Sequence, residues 1–227
     1  AKIKLQDPPE HELQALIDLY EQGQLEQALN QIKPLLKKFP HAVLLYTLKG
    51  AVYSNLKQYG EAIKSYRHAI SIQPNYADAH SNMGVAMRKN GDLDGAINSC
   101  KEAIRITPDF AEAHNHLGIA LCEKGDSDEA IKSYRKALSI KPDFAESHNN
   151  MSATQRKKGD LEGAINSCKE AIKIRPDYVN AYSNMGVALR QKGDFDTAIN
   201  SYSQALEIVP KCPEAANNIF FLLALKR

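Results

Sequence analysis

Six prolines, Pro40, Pro74, Pro108, Pro142, Pro176 and Pro210, stand at a fixed interval of 34 residues. A period of that length marks one supersecondary unit copied along a chain, and it constrains the fold more tightly than the length of 227 residues does. Length alone suggests one or two globular domains. A unit this short cannot bury an apolar face by itself, so its copies must stack on their neighbours into one quasi-linear core.

The stretch from Ala77 to Phe110 shows how a unit is built. His80, Met83, Gly84, Ala86 and Met87 recur at helical spacing, which predicts an amphipathic helix ending near Asn90. Gly91 supplies the left-handed residue that a helix stop favours. Asp92 is placed to cap a second helix, with apolar positions that include Leu93, Ala96, Ile97, Cys100 and Ala103, and Pro108 ends it. Asp109 with Glu112, and Asp143 with Glu146, read as acid pairs that satisfy free amides at the start of the next helix, in the manner of a capping box. Pro34 interrupts a second helix nearer the N-terminus and predicts a kink or early stop there.

With each copy numbered from 1, position 4 is aromatic or His (Tyr46, His80, His114, His148, Tyr182) and position 8 is usually Gly (Gly50, Gly84, Gly118, Gly186). Position 20 is Ala throughout (Ala62, Ala96, Ala130, Ala164, Ala198), position 27 is Ala and position 32 is Pro. This pattern resembles the tetratricopeptide repeat, TPR. The resemblance implies an all-α fold, a right-handed TPR superhelical solenoid of antiparallel helix pairs, A and B. It covers residues 1–227 as one array, with a degenerate repeat at 9–42, full repeats at 43–76, 77–110, 111–144, 145–178 and 179–212, and a C-terminal helix at 213–227. The small residues at positions 8 and 20 let two helix backbones approach at the short end of the ~8–10 Å usual for packed helices.

Composition narrows the class of partner. A formal net charge of +2, from 29 basic and 27 acidic residues, gives no case for nucleic acid or a membrane surface. Cys100, Cys122, Cys168 and Cys212 have no metal-binding spacing, and Cys100 and Cys168, two repeats apart, lie too far from one another in a stacked array for a disulfide; all four read as reduced thiols in a cytoplasmic protein. No signal peptide is visible, the longest apolar run is far short of the ~20 residues of a membrane span, and Ala1 in place of Met reads as an excised fragment.

A second periodicity lies on the first. Position 24 alternates Tyr66, Cys100, Tyr134, Cys168 and Tyr202, and Gly95 and Gly163 occupy position 19 in the cysteine repeats. The copying unit is therefore often two repeats. Either alternate repeats present alternate surfaces, or duplication left the alternation without a role.

No catalytic constellation, metal set or cofactor motif is found, so the chain reads as no enzyme. His80, His114 and His148 are successive occupants of position 4, a slot for a large ring between helices, rather than ligands. In the fourth full repeat Ser152 replaces Gly, and Thr154 and Gln155 take positions that are apolar elsewhere. A buried Gln without partners costs about 1–3 kcal/mol, so this repeat is expected to be the weak point of the array.

Function then falls to a surface, and the stripe of helix A through positions 2, 5, 6, 9, 12 and 13 is unusual. Position 6 holds Asn82, His116, Asn150, Asn184 and Asn218, position 5 holds Ser81, Asn115, Asn149, Ser183 and Asn217, and position 9 is apolar, as in Val85, Ile119 and Val187. An ordinary solvated face would be rich in Lys and Glu. An Asn side chain offers one acceptor and two donors, the complement of a peptide group, so it can pair with a main chain of any sequence. A helices ~8–10 Å apart would meet an extended ligand about every three residues, at a rise of ~3.3 Å per residue. Arg88, Arg156 and Arg190 at position 12 fit acidic ligands, or simply favourable charge near helix C-termini. Asn is a poor helix former, yet duplication can also copy a tolerated residue.

The stripe is similar to the asparagine ladder in the TPR region of O-GlcNAc transferases, which holds an extended polypeptide on the concave face. That resemblance extends to Asn82, Asn150, Asn184 and Asn218, whereas Leu48 and His116 interrupt it. The chaperone-docking TPR subfamily would instead need Lys at position 5 and Asn at position 9, where Ser81 and Val85 stand. The expected function is a non-catalytic scaffold whose partner is a protein or peptide in extended conformation. Two alternatives remain: self-association through the apolar C-terminal helix, in which Phe220 fills the Gly slot, and the substrate-recruiting arm of a larger glycosyltransferase or sulfotransferase.

Overall fold

The computed structural model describes residues 8–210 and 213–225, and among the described residues it has thirteen helices and no strand. These are α1 (Glu10–Glu21), α2 (Leu25–Lys38), α3 (Val43–Asn55), α4 (Tyr59–Ile72), α5 (Ala77–Lys89), α6 (Leu93–Ile106) and α7 (Ala111–Lys124). They continue as α8 (Ser127–Ile140), α9 (Ala145–Lys157), α10 (Leu161–Ile174), α11 (Val179–Lys192), α12 (Phe195–Ile208) and α13 (Pro213–Leu225). The chain divides into two compact units, residues 1–120 and 121–227, with the division inside α7. In the first unit each helix from α1 to α6 packs on the next, and α1, α3 and α5 touch as a row. In the second the same holds from α8 to α13, with α9 against α11.

Close approach within a hairpin rests on a missing side chain. A Cβ on Gly50 would stand 2.6 Å from the Tyr66 ring, one on Gly84 2.7 Å from Cys100 Sγ, and one on Gly186 2.6 Å from the Tyr202 ring. Position 24 therefore fills the space that position 8 vacates, which gives the Tyr/Cys alternation a packing role. Ser152 stands opposite Cys168, the smaller of the two partners. Burial pushes the Cys100 thiol up to about 12 and that of Cys168 up to about 11, so both act as small core residues. Cys212 lies outside the described residues.

The hairpin turns follow the sequence closely. Gly91 sits at φ 89°, and Lys57 takes the same left-handed conformation at φ 59° where the first full repeat has no glycine. Asp92, Asp160 and Asp194 cap α6, α10 and α12 by accepting from the third amide of each helix, at 2.8, 2.9 and 3.2 Å. The two shorter caps meet Gly95 and Gly163, where a Cβ would strike the aspartate at 2.2 Å.

Three expectations are corrected. The Asp143 and Glu146 pair does not cap α9: Phe144 is the N-cap residue and no side chain bonds there. The helix begins one residue too late for a box, which leaves Asp143 outside it and Glu146 on its second residue. The link between repeats is held by position 4 instead. His80 Nε2 and His114 Nε2 reach the carbonyls of Pro74 and Pro108 at 3.0 and 2.9 Å, and Tyr46 OH donates to Pro40 O at 3.3 Å. Of the kink or early stop expected at Pro34, the early stop does not occur, since α2 runs on to Lys38; Pro34 and Asn30, whose carbonyl loses its helical partner, both face water.

The third correction concerns the fourth full repeat. Gln155 is buried but partnered at both ends: Ser167 Oγ donates to its Oε1 at 2.7 Å and its Nε2 donates to Asp160 Oδ2 at 3.2 Å. Thr154 Oγ1 donates to Asn150 O at 3.0 Å, and Ser152 Oγ to Asn149 O at 2.7 Å. Gly163 makes room for the amide, since a Cβ there would stand 2.5 Å from Gln155 Nε2. The three polar substitutions are each satisfied, so the penalty expected of an unpartnered Gln155 does not arise, while Ser147 Oγ, His148 Nδ1 and Arg156 Nε of the same repeat are buried without a partner.

Substituting Gly186→Ala is expected to cost about 1–3 kcal/mol, because Tyr202 must leave its rotamer or the helices must part. Gly60→Ala on α4 meets nothing within 4 Å and should instead stabilise by about 0.4–1 kcal/mol. Denaturant unfolding of the two variants measures the contrast, and equal effects would refute the close-approach account.

Candidate functional site

The odd-numbered helices present the stripe singled out in the sequence, and each unit carries its own part. The first holds Asn82, Val85, Arg88, Asn115, His116 and Ile119; the second holds Asn149, Asn150, Arg156, Asn184, Val187, Arg190 and Asn218. All five position-6 residues are half-buried, as are Val85, Ile119, Val187 and the three arginines. Their surfaces are partly open. At position 5, Ser81, Asn115 and Asn149 are buried, at 5% exposure for Asn115 and 7% for Asn149, while Ser183 is half-buried and Asn217 exposed.

Positions 5 and 6 meet between repeats. Asn184 Nδ2 donates to Asn149 Oδ1 at 2.9 Å, and Ser81 Oγ pairs with His116 Nδ1 at 3.0 Å. Both pairs are separated by 35 residues, one repeat plus one, so each joins an A helix to the next. His116 interrupts the run of asparagines in the sequence but makes the contact that Asn184 makes. With one of its two Nδ2 hydrogens committed, Asn184 keeps the other and a carbonyl oxygen for further hydrogen bonds. The sequence signal for these pairs was present in the adjacent polar columns at positions 5 and 6, but chemistry alone does not say which column turns inward.

At the N-terminal end of the stripe the polar row gives way to an apolar cavity of about 230 Å³, lined by Leu13, Ile17, Leu44, Thr47, Leu48 and Ala51 from α1 and α3. The signal for it was Leu48 at position 6, together with Leu13 and Ile17 at positions 5 and 9 of the degenerate repeat. Among the described residues no group of His, Cys, Asp or Glu could hold a metal ion, and no helix is long and apolar enough to cross a membrane.

Burial pushes the His116 imidazole down to about 4; Arg88 adds to the shift and Glu112 opposes it. The ring is therefore neutral at physiological pH and able to pair with Ser81. An unfolded chain takes up this proton near pH 6.5 and the folded one only near pH 4, so the folded state loses stability as pH falls through that window. The loss is expected to reach at most about 3 kcal/mol. His116→Asn should flatten the dependence between pH 6.5 and 4 without abolishing it, because burial also lowers His148. Thermal melts of both proteins across that range measure it, and parallel curves would refute the assignment.

Comparison with known proteins places the chain. A family model described as "TPR repeat" matches residues 50–91, 86–125 and 154–192, more than half of the chain, and one described as "Tetratricopeptide repeat" matches 111–144 and 179–212. A curated relative, "Probable UDP-N-acetylglucosamine--peptide N-acetylglucosaminyltransferase SEC" of Arabidopsis thaliana, is 33% identical over 78 residues, which span 34% of this chain and 8% of that protein. The structure of PilW, a type IV pilus biogenesis factor, superposes with a TM-score of 0.83 at 20% identity, covering 91% of this chain and 96% of that one. YrrB, described as a TPR protein with an unusual peptide-binding site, superposes at 0.61 with 17% identity, covering 82% and 96%.

Proposed function

The chain belongs to the tetratricopeptide repeat family, and on that premise we propose that it is a non-catalytic scaffold that grips extended polypeptide along its odd-numbered helices. The observation that carries this reading is the half-buried position-6 row, anchored from behind by position 5 where Asn149 holds Asn184 and Ser81 holds His116. Anchoring costs each position-6 side chain part of its hydrogen-bonding capacity and fixes the rest in orientation, so less rotamer freedom is lost when a ligand binds. Val85, Ile119 and Val187 beside the row offer small apolar contacts to alternate side chains of a strand. Each main-chain hydrogen bond is worth only ~0.5–1.5 kcal/mol net, so useful affinity requires several repeats to engage one ligand. The family likeness to YrrB, whose description names a peptide-binding site, supports the same reading.

The test is retention of a diverse pool of extended peptides by the wild type and by a variant with Asn82, Asn150, Asn184 and Asn218 all changed to Ala, at helicity matched by circular dichroism. Retention by the wild type and its loss in the variant are expected. Equal retention by both would remove the amide row from the account.

A second reading is favoured by one observation: Phe220 on α13 is 77% exposed while Leu222 of the same helix is buried. An exposed aromatic of this size is available to a second copy. Sedimentation velocity across a range of concentrations should then show a dimer that Phe220→Asp abolishes, and a monomer at every concentration would dismiss this reading. A third reading, the substrate-recruiting arm of a glycosyltransferase, draws on the likeness to SEC.

A further inference from the structure

Tyr202 of α12 is 0% exposed, and its ring lies against α11 where Gly186 has no side chain. Its hydroxyl is buried without a hydrogen-bond partner, and so is Nε of Arg156 on α9. A buried polar atom left unpaired costs stability, and few survive in folded proteins without a use.

Comparison with the same repeat position in the other unit shows what is unusual. Tyr66 also fills position 24, and its hydroxyl is paired with Ser54, which stands at position 12. In the repeat of Tyr202, position 12 is Arg190. The charges that act on the Tyr202 hydroxyl are those of Arg190 and Arg156. A guanidinium has no acceptor, so neither arginine can take the phenolic proton. The Tyr202 ring lies on Gly186, one helical turn before Arg190, and α9 with Arg156 packs against α11, so the register places donors from three helices on one side, with an acceptor still owed to the Tyr202 O–H and to Arg156 Nε–H. An anion satisfies both.

The two arginines occupy position 12 on neighbouring A helices, on the stripe that carries Asn184. Six residues separate Asn184 from Arg190, about 9 Å along the helix axis, so the arginine lies beside the position-6 row, on the side where a side chain of the bound polypeptide would reach it. We propose that Arg156, Arg190 and the Tyr202 hydroxyl form a subsite for the carboxylate of an acidic side chain, Glu or Asp, carried by the bound polypeptide. This rests on the peptide-track reading and adds a sequence preference to it. The first unit offers no equivalent: its position-12 Arg88 stands near Cys100, whose thiol is a weak donor, and near the neutral His116.

The test uses two fluorescent peptide pools of randomised uncharged residues, identical except for a fixed central Glu in one and Gln in the other. Binding anisotropy is read for the wild type, Arg156→Gln and Tyr202→Phe. The wild type is expected to prefer the Glu pool by about 10-fold, the scale of a charge-assisted contact. Arg156→Gln should reduce that preference to about 2-fold or less, and Tyr202→Phe should reduce it by about 3-fold, while the Gln pool binds all three proteins alike. Tyr202→Phe removes a hydroxyl that has no partner in the protein, so it should melt no lower than the wild type and keeps the test open if Arg156→Gln folds poorly. Equal binding of both pools by the wild type would overturn the subsite and leave the track standing. No binding of either pool would overturn both. A preference for Glu that survives both substitutions would overturn the assignment to these residues.

Discussion

The hairpins of Gly50, Gly84 and Gly186 are each set by a contact that a single methyl group would prevent. Gly50, Gly84 and Gly186 let the ring or thiol at position 24 press onto the facing backbone, and this distance fixes how helix A lies on helix B. Because the A helices then touch one another in rows, the spacing also decides which of their residues can meet across repeats. The bond from Asn184 to Asn149 and the pair of Ser81 with His116 depend on that geometry. A functional face of polar side chains is thus a consequence of close packing on the opposite side of the same helix.

Much of this was legible because it is local. The period, the glycine stops and the Asp92 cap on α6 each depend on a few consecutive residues, and the structure has them there, with Asp160 and Asp194 capping in the same way while Asp126 at the same position makes no cap bond. What was not legible depends on partners far apart in sequence or on a register of one residue. Asp143 and Glu146 have the spacing of a capping box, but Phe144 takes the N-cap position. Gln155 looked costly because its partners, Ser167 and Asp160, belong to the next helix and its cap, and because the absence of a side chain at Gly163 is visible only once the two helices are packed. The histidines of position 4 were recognised as packing residues, but their bond to a proline carbonyl six residues back was not. That bond gives the repeating proline two roles: it ends helix B, and it lends its carbonyl to hold helix A.

The candidate face divides the same way. Composition identified the stripe, since short amides and aliphatics on one helix face are not what solvent selects. It could not separate position 5 from position 6, although Ser81, Asn115 and Asn149 of one column are buried and the other column is half-open. Both are polar, both lie on the stripe, and only the angle between neighbouring A helices distinguishes them. The same limit hid the apolar cavity at α1 and α3, which arises where the degenerate repeat and the first full repeat both place aliphatic residues on the stripe.

Repetition itself makes the departures informative. When the same position recurs, a difference in its surroundings is a controlled comparison within one chain. Tyr66 and Tyr202 are both buried against a glycine of the preceding helix, yet one hydroxyl is satisfied by Ser54 and the other faces arginines that cannot accept its proton. Packing cannot account for the difference, because the ring does the same work in both places. The cost of the unpaired hydroxyl falls on folding, and the gain can come only from something outside the chain that accepts what Tyr202 and Arg156 donate. A position that is silent in the fold and strained in its polarity is where a repeat protein can become specific without disturbing the contacts that keep its repeats in register.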